Sequence, residues 1–165
     1  MKYLTKEWHL GKISDRECQK REKENQRYFR ENIKKFPVDF ILFAEKESLH
    51  DALFEKCEID RIKNSLSLDL ICGENTKGYH RLTLVYLNVN LKKLAIDILN
   101  KLVNSKDAEL LYDEIDMNGE FFVHRMLFWP TYTEIAIFFR DFKFNKINVT
   151  SRKRALIRRR FKEIL

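Results

Sequence analysis

The chain has 165 residues, and its length together with 44 % hydrophobic and 13 % aromatic residues is typical of one folded domain and excludes a wholly disordered chain. Four Gly and two Pro exclude a collagen-like or low-complexity sequence. The net charge of +7 is concentrated in residues 151–165, which hold seven basic residues and one acidic residue. The rest of the chain is nearly neutral, so the protein is not basic throughout.

The N-terminal segment predicts two helices. Residues 3–11 form the first, and Ser14 with Glu17 has the spacing of a capping box that begins the second. That second helix runs through a highly charged stretch and is ended by Pro37. Its first half has Cys18 as its one apolar residue, so we expect this half to lie in solvent or against a partner. Its second half can dock through Tyr28, Phe29, Ile33 and Phe36.

The middle of the chain changes to the period of strands. Residues 38–49 indicate a short helical or extended link. Residues 53–63 fit a helix with Leu53 and Cys57 on one face, or a strand; we favour a strand because a polar turn leads directly into an alternating run. In that run one face carries Leu66, Leu68 and Leu70. A β-rich segment follows at 79–89, and helical spacing returns over 91–103.

A three-stranded meander is predicted next. Asn118-Gly119 is a strong hairpin signal, because both residue types tolerate positive φ, and it would join strands 108–117 and 120–129. A further strand spans 133–144. With Met117 opposite Glu120, the register sets Asp113 opposite His124.

The predicted fold class is therefore α+β. We expect an antiparallel β-sheet of about six strands, N-terminal helices and a basic C-terminal helix. The expected organisation is a single domain over 1–165, with a helical segment at 1–37, the sheet core at 52–145 and the basic helix at 150–165.

Several short motifs resemble known bacterial sequences. The opening MKYLTKEW is similar to that of an uncharacterised bacterial family of small β-rich proteins. A weaker similarity, to immunity proteins of polymorphic toxin systems, rests on segments 49–52, 111–115, 124–128, 134–135 and 141–142. The resemblance implies a bacterial origin and an α+β sheet fold, and it transfers no catalytic residues.

Four polar residues are candidates for a site. His50-Asp51 has the doublet of metal-dependent phosphohydrolases, although such sites need further ligands, and the pair can equally cap a turn. Asp113 and His124 can form a general base with its orienting partner, or a structural hydrogen bond. The spacings of Gly, Ser and Cys match no phosphate loop, nucleophile elbow or zinc motif. We therefore predict no catalytic residues, metal or cofactor.

The C-terminal segment is the candidate polyanion site. Its cations would surround an apolar stripe on a helix and could contact nucleic-acid phosphates, an acidic protein or an anionic membrane. A solvated helix that docks by its apolar stripe explains the same pattern. The predicted binding residues are Arg152, Lys153, Arg154, Arg158, Arg159, Arg160 and Lys162.

From these features we predict a non-enzymatic protein-binding module of the immunity-like kind. The alternative is a nucleic-acid-associated protein that uses the basic C-terminal helix, and an enzyme such as a hydrolase ranks third. Apolar runs of about five residues, no signal-peptide pattern and three scattered Cys lead us to expect a cytoplasmic protein without a transmembrane helix.

Overall fold

The structure is a computed structural model that describes residues 1–105, 108–151 and 153. Within these residues the chain forms four α-helices, two short 3-10 turns and one antiparallel sheet of seven strands. The helices are α1 (Lys6–His9), α2 (Asp15–Asn32), α3 (Val38–Lys46) and α4 (Ile96–Val103). The strands are β1 (Ala52–Asp60), β2 (Ser65–Glu74), β3 (Gly78–Leu87), β4 (Glu109–Asn118), β5 (Phe121–Trp129), β6 (Thr133–Phe139) and β7 (Asp141–Val149).

The α+β class is confirmed, but the expected six strands are seven. The single strand predicted over 133–144 is two strands, β6 and β7, separated by Arg140. They lie at opposite edges of the sheet, whose order is β6-β5-β4-β1-β2-β3-β7. The sequence has no Gly or Pro at Arg140 to mark the change of partner from β5 to β3, so the periodicity continues without interruption.

The sheet curls until its two edges meet at Arg140. One residue connects the edge strands, and the Arg140 N–H donates to the carbonyl of Leu87 at the end of β3 over 3.1 Å. Beside it, the Asn90 N–H donates to the carbonyl of Phe138 in β6 over 2.9 Å. The concave face therefore encloses the apolar alternation that the sequence predicted, with Leu66, Leu68 and Leu70 fully buried.

Helix α3 fills the concave face of the curled sheet. Its Phe40 and Phe43 are each 2 % exposed, and their rings contact those of Phe139, Phe142 and Phe144. From the sequence, the run FILFA at 40–44 was compatible with a short helix or with an extended link. It is helical, because two aromatic rings three positions apart on a helix can enter the same core.

Helix α2 lies on the outside of this assembly. Ser14 caps it as predicted, accepting a hydrogen bond from the Glu17 N–H over 3.3 Å. None of its 18 residues, all within the described part of the chain, is buried. Tyr28 and Phe29 in its second half pack against the core, in agreement with the prediction that this half docks.

The β4–β5 hairpin has a different register from the one predicted. Asn118 pairs with Phe121, so the loop is Gly119-Glu120, with Gly119 at φ +61°. Asp113 is therefore opposite Met126, and His124 is opposite Ile115. A loop that begins with glycine at positive φ matches a type II′ turn, which competes with the type I′ turn that Asn118-Gly119 favours.

The remaining predictions have mixed outcomes. Residues 53–63 are a strand over most of their length, as favoured, and 91–103 is a 3-10 turn followed by α4. The predicted basic helix at 150–165 lies outside the described residues except at its start, where the Lys153 N–H donates to the carbonyl of Thr150 over 2.9 Å. Among the described residues, none of the helices combines the length and apolar character needed to cross a membrane.

Candidate functional site

A chain of three polar side chains crosses the interior of the curled sheet. The Tyr86 hydroxyl on β3 lies 2.8 Å from Nδ1 of His124 on β5, and Nε2 of His124 lies 3.0 Å from Oδ2 of Asp113 on β4. Tyr86 and His124 are fully buried, whereas the Asp113 side chain is 32 % exposed. The predicted Asp113–His124 contact is therefore present, but it is a diagonal contact across the two strands.

Burial determines the protonation of Tyr86, the first of these three side chains. Burial raises the pKa of Tyr86 well above its usual value, with a smaller contribution from the charge of Asp113, so the group stays a phenol. One hydrogen bond joins the phenol oxygen of Tyr86 to Nδ1 of His124, and a second joins Nε2 of that ring to Oδ2 of Asp113. Asp113 is thus held in one orientation by His124, whose ring is in turn positioned by Tyr86.

A cavity of about 300 Å³ opens above Asp113, between α2, α3 and β4. Its apolar wall includes Phe29, Phe40 and Phe43, and its polar wall includes Asn25 and Gln26. The rings of Phe40 and Phe43 also contact the His124 ring edge-on, at centroid distances of 5.6 and 6.2 Å. Phe40 and Phe43 therefore pack against His124 and also line the cavity.

Two further carboxylates line the cavity, and both have partners in the protein. Glu47 forms an ion pair with Lys146, whose Nζ lies 2.8 Å from its Oε2, and Nε2 of His80 lies 3.2 Å from that oxygen. Burial and the charge of Lys146 lower the pKa of His80, against the opposing effect of Glu47. Glu114 is 4 % exposed and accepts hydrogen bonds from the backbone amides of Lys2, Tyr3 and Leu4.

The other predicted polar pair lies elsewhere. His50 and Asp51 precede β1 with side chains 60 % and 57 % exposed, and His50 Nδ1 lies 3.5 Å from Asp51 Oδ1. The His50 ring stacks on Tyr112 at 6.2 Å. Asp51 has a φ of 59°, which fits the prediction that this doublet forms a turn. The four candidate residues thus form two pairs in different environments.

Of the seven predicted polyanion-binding residues, the described part of the chain contains Lys153. Its Nζ forms an ion pair with Glu55, a carboxylate that is 8 % exposed and also accepts hydrogen bonds from Nε and Nη2 of Arg81, over 2.6 and 3.0 Å. Burial alone would raise the pKa of Glu55, but Arg81 and Lys153 outweigh it and hold that pKa below its usual value. This cluster ties the start of the C-terminal segment to the sheet.

The outer face of α2 carries a row of cations that we name the basic stripe. Its residues follow one another at alternating steps of four and three, which places them within an arc of about 80° over about 21 Å of helix. All are exposed: Arg16, Lys20, Lys23, Arg27 and Arg30. The half-buried side chains on the opposite face are Cys18, Arg21, Asn25, Tyr28, Phe29 and Asn32.

Carboxylates flank the basic stripe on both sides. At 100° per residue they project about 60–120° from the centre of the stripe. They are Asp15, Glu17, Glu22, Glu24 and Glu31. With six basic and five acidic residues, α2 is nearly neutral, and what distinguishes it is the separation of its charges. The alternating four- and three-residue spacing of these like charges is present in the sequence and is the signal from which the stripe can be predicted.

Comparisons with protein-family models, curated proteins and solved structures find no match to this chain. Within the described residues, no group of three or more His, Cys, Asp or Glu side chains is placed to hold a metal ion.

Proposed function

We propose that this protein is a non-enzymatic protein-binding module whose contact surface is the basic stripe of α2. The observation that carries the proposal is the arrangement of charge around an 18-residue helix with no buried residue. A helix that only covered the core would need its inner face alone, and its outer charges could then occur in any order.

The flanking carboxylates favour a protein partner over nucleic acid. A duplex presents phosphates across a surface wider than one helix, so Glu24 and Glu31, near the edge of the basic stripe, would face like charge. A narrow acidic ridge flanked by basic residues, such as one face of a charged helix, complements both the stripe and its borders. We therefore infer a partner with an acidic helix or ridge.

The resemblance to immunity proteins of toxin systems supports the same class of function. A protein of that kind acts by binding one partner and blocking it, and in this proposal the basic stripe makes the contact. The partner would then bind in a 1:1 complex, and its acidic ridge would lie at or beside the surface that must be blocked.

The test uses a synthetic acidic partner. The probe is an alanine-based helical peptide of about six turns, with Glu at alternating four- and three-residue steps and Lys on either side of the Glu row. Binding is measured by fluorescence anisotropy at about 50 and 200 mM salt. We expect binding by the wild type, weakened by salt, and loss of binding in Lys20→Glu/Lys23→Glu/Arg27→Glu.

A matched variant controls for net charge. Lys92, Lys101 and Lys143 are exposed and lie outside α2, so reversing these three changes the charge of the protein by the same amount. Retained peptide binding in this variant supports the basic stripe as the surface. Equal loss in both triple variants, or no wild-type binding at the lower salt, would refute the proposal.

Nucleic-acid binding through the C-terminal segment is the second candidate, favoured by the seven basic residues among the last fifteen. The same assay with a random duplex and a single strand tests it, using charge reversal at Arg158, Arg159 and Arg160. This candidate predicts a steep salt dependence that the C-terminal reversal removes and the α2 reversal leaves unchanged.

A further inference from the structure

We propose that the cavity between α2, α3 and β4 binds a small organic ammonium ion, with Asp113 as its counter-ion. This site is separate from the basic stripe and does not depend on it. The cavity volume of about 300 Å³ matches the lower end of small-molecule sites and suits a ligand of one ring or a short alkyl chain.

The first argument is the fixed orientation of Asp113. Its Oδ2 lies 3.0 Å from Nε2 of His124, and Nδ1 of the same ring lies 2.8 Å from the Tyr86 hydroxyl. Tyr86 and His124 are both fully buried. The hydrogen bond with Tyr86 fixes the His124 ring, and the hydrogen bond with that ring fixes Asp113. The result is a carboxylate side chain with one fixed orientation, partly exposed at the wall of a cavity, where it can face a bound cation.

The second argument is the aromatic wall. Phe29, Phe40 and Phe43 line the same cavity as Asp113. Aromatic faces attract a cation and also accommodate an apolar body. A metal ion would gain little there, since phenyl rings offer no ligand atoms, and the described residues hold no cluster of metal-ligating side chains.

The third argument excludes anions. Glu47 and Glu114 line the cavity together with Asp113. The charge of Glu47 is balanced by Lys146, and none of the described residues that line the cavity is basic, so the Asp113 side chain makes this wall acidic. Carboxylate or phosphate ligands would be repelled by this wall, and an amine with an apolar body matches it.

The experiment compares three probes of similar size on the wild-type protein by amide chemical-shift titration. They are the 2-phenylethylammonium ion, the neutral 2-phenylethanol and the anion 3-phenylpropionate. We expect saturable shifts at Asn25, Gln26, Ala44 and Ile115 with the ammonium ion, and affinity for the alcohol at least about tenfold weaker, because the charged hydrogen bond is lost. The anion should cause no shifts at these residues.

A pair of variants isolates the carboxylate. Asp113→Asn keeps an acceptor for His124 and removes the charge, and we expect the ammonium affinity to fall about tenfold or more. Asp69→Asn is the matched control, because Asp69 is also a strand carboxylate with a side-chain partner, Thr83 at 2.6 Å, and does not line the cavity. It should bind as the wild type does.

Three results would overturn the proposal. They are equal affinity for ammonium ion and alcohol, unchanged affinity in Asp113→Asn, and no saturable shift with the ammonium ion up to about 10 mM, where even a weak one-ring ligand is detected. The comparison of probes needs no variant, so it decides the question even if Asp113→Asn does not fold.

Discussion

Helices α2 and α3 follow one another in the chain and have opposite roles. Helix α2 is twice as long as α3, with 18 residues against nine, yet it buries none of them, whereas α3 places Phe40 and Phe43 in the core. The side chains of α2 that face the sheet are largely polar in its first half, and those of α3 are aromatic. The fold therefore depends on α3, and the outer face of α2 is free to serve another purpose.

The first prediction tests the dependence on α3 and has the largest expected effect. Phe40→Ala removes a ring that contacts Phe36, Phe43, Phe139, Phe142 and His124. Truncation of a buried Phe costs about 3–5 kcal/mol of unfolding free energy. Urea unfolding should show this loss, and Leu42→Ala, on the exposed side of α3, should show much less. A small loss in Phe40→Ala would contradict the role assigned to α3.

The second prediction concerns the polar contact that α3 covers. Tyr86→Phe removes the hydroxyl from the fully buried Nδ1 of His124 and leaves that nitrogen without its partner. The expected loss of unfolding free energy is about 1–3 kcal/mol. Urea unfolding at pH 7 measures it, and an unchanged midpoint would show that the chain of hydrogen bonds adds nothing to stability.

The third prediction compares an ion pair on the sheet with an ion pair on α2 by how the stability that each contributes depends on pH. The pKa of Glu55 is lowered in the folded protein, so its pair with Arg81 stabilises the fold above the pKa of the unfolded chain, and this stabilisation is lost as the pH falls through the lower pKa of the folded state. The stability difference between wild type and Glu55→Gln should therefore be largest near pH 7 and narrow towards pH 3. Thermal melts across this range measure it.

The matched control for that titration is Glu17→Gln on α2. Glu17 pairs with Arg21 over 3.0 Å, but its side chain is 37 % exposed, and solvent weakens such a pair. We expect its melts to follow those of the wild type at every pH. A pH dependence as large as that of Glu55→Gln would mean that this pair within α2 stabilises the fold more than its exposure indicates.

The smallest effect on stability is predicted for the basic stripe. Reversal of Lys20, Lys23 and Arg27 changes side chains on the outer face of α2, all of them exposed. The melting temperature should stay within about 2 °C of the wild-type value, since surface substitutions away from specific contacts change stability little. A large drop in the melting temperature would show that these cations stabilise the fold, and it would contradict the view that the outer face of α2 is needed only for binding.

The sequence predicted what depends on local pattern and missed what depends on the curl of the sheet. The exposure of α2, the Ser14 cap and the buried face of β2 each follow from spacing along one element. Tyr86 was missed as the partner of His124 because the two residues lie 38 positions apart on strands that meet only across the interior. The change of partner at Arg140 was missed because no Gly or Pro interrupts the strand periodicity there.

In the candidate site too, some features could be predicted from the sequence and others depend on the three-dimensional fold. The contact between Asp113 and His124 was predicted from a register that proved wrong, and it forms because long side chains reach diagonal as well as direct neighbours. The cavity above it could not be predicted, since its walls come from α2, α3 and β4. The basic stripe, by contrast, is a property of one helix and could have been found from its spacing alone.

The most direct test of the central claim is a map of where an acidic partner binds. Amide chemical shifts of the wild-type protein, titrated with the acidic helical peptide at about 50 mM salt, report the contact surface without any substitution. We predict perturbations along α2, largest beside Lys20, Lys23 and Arg27. Perturbations concentrated in residues 151–165 or on the sheet, with α2 unchanged, would contradict the assignment of the basic stripe as the binding surface.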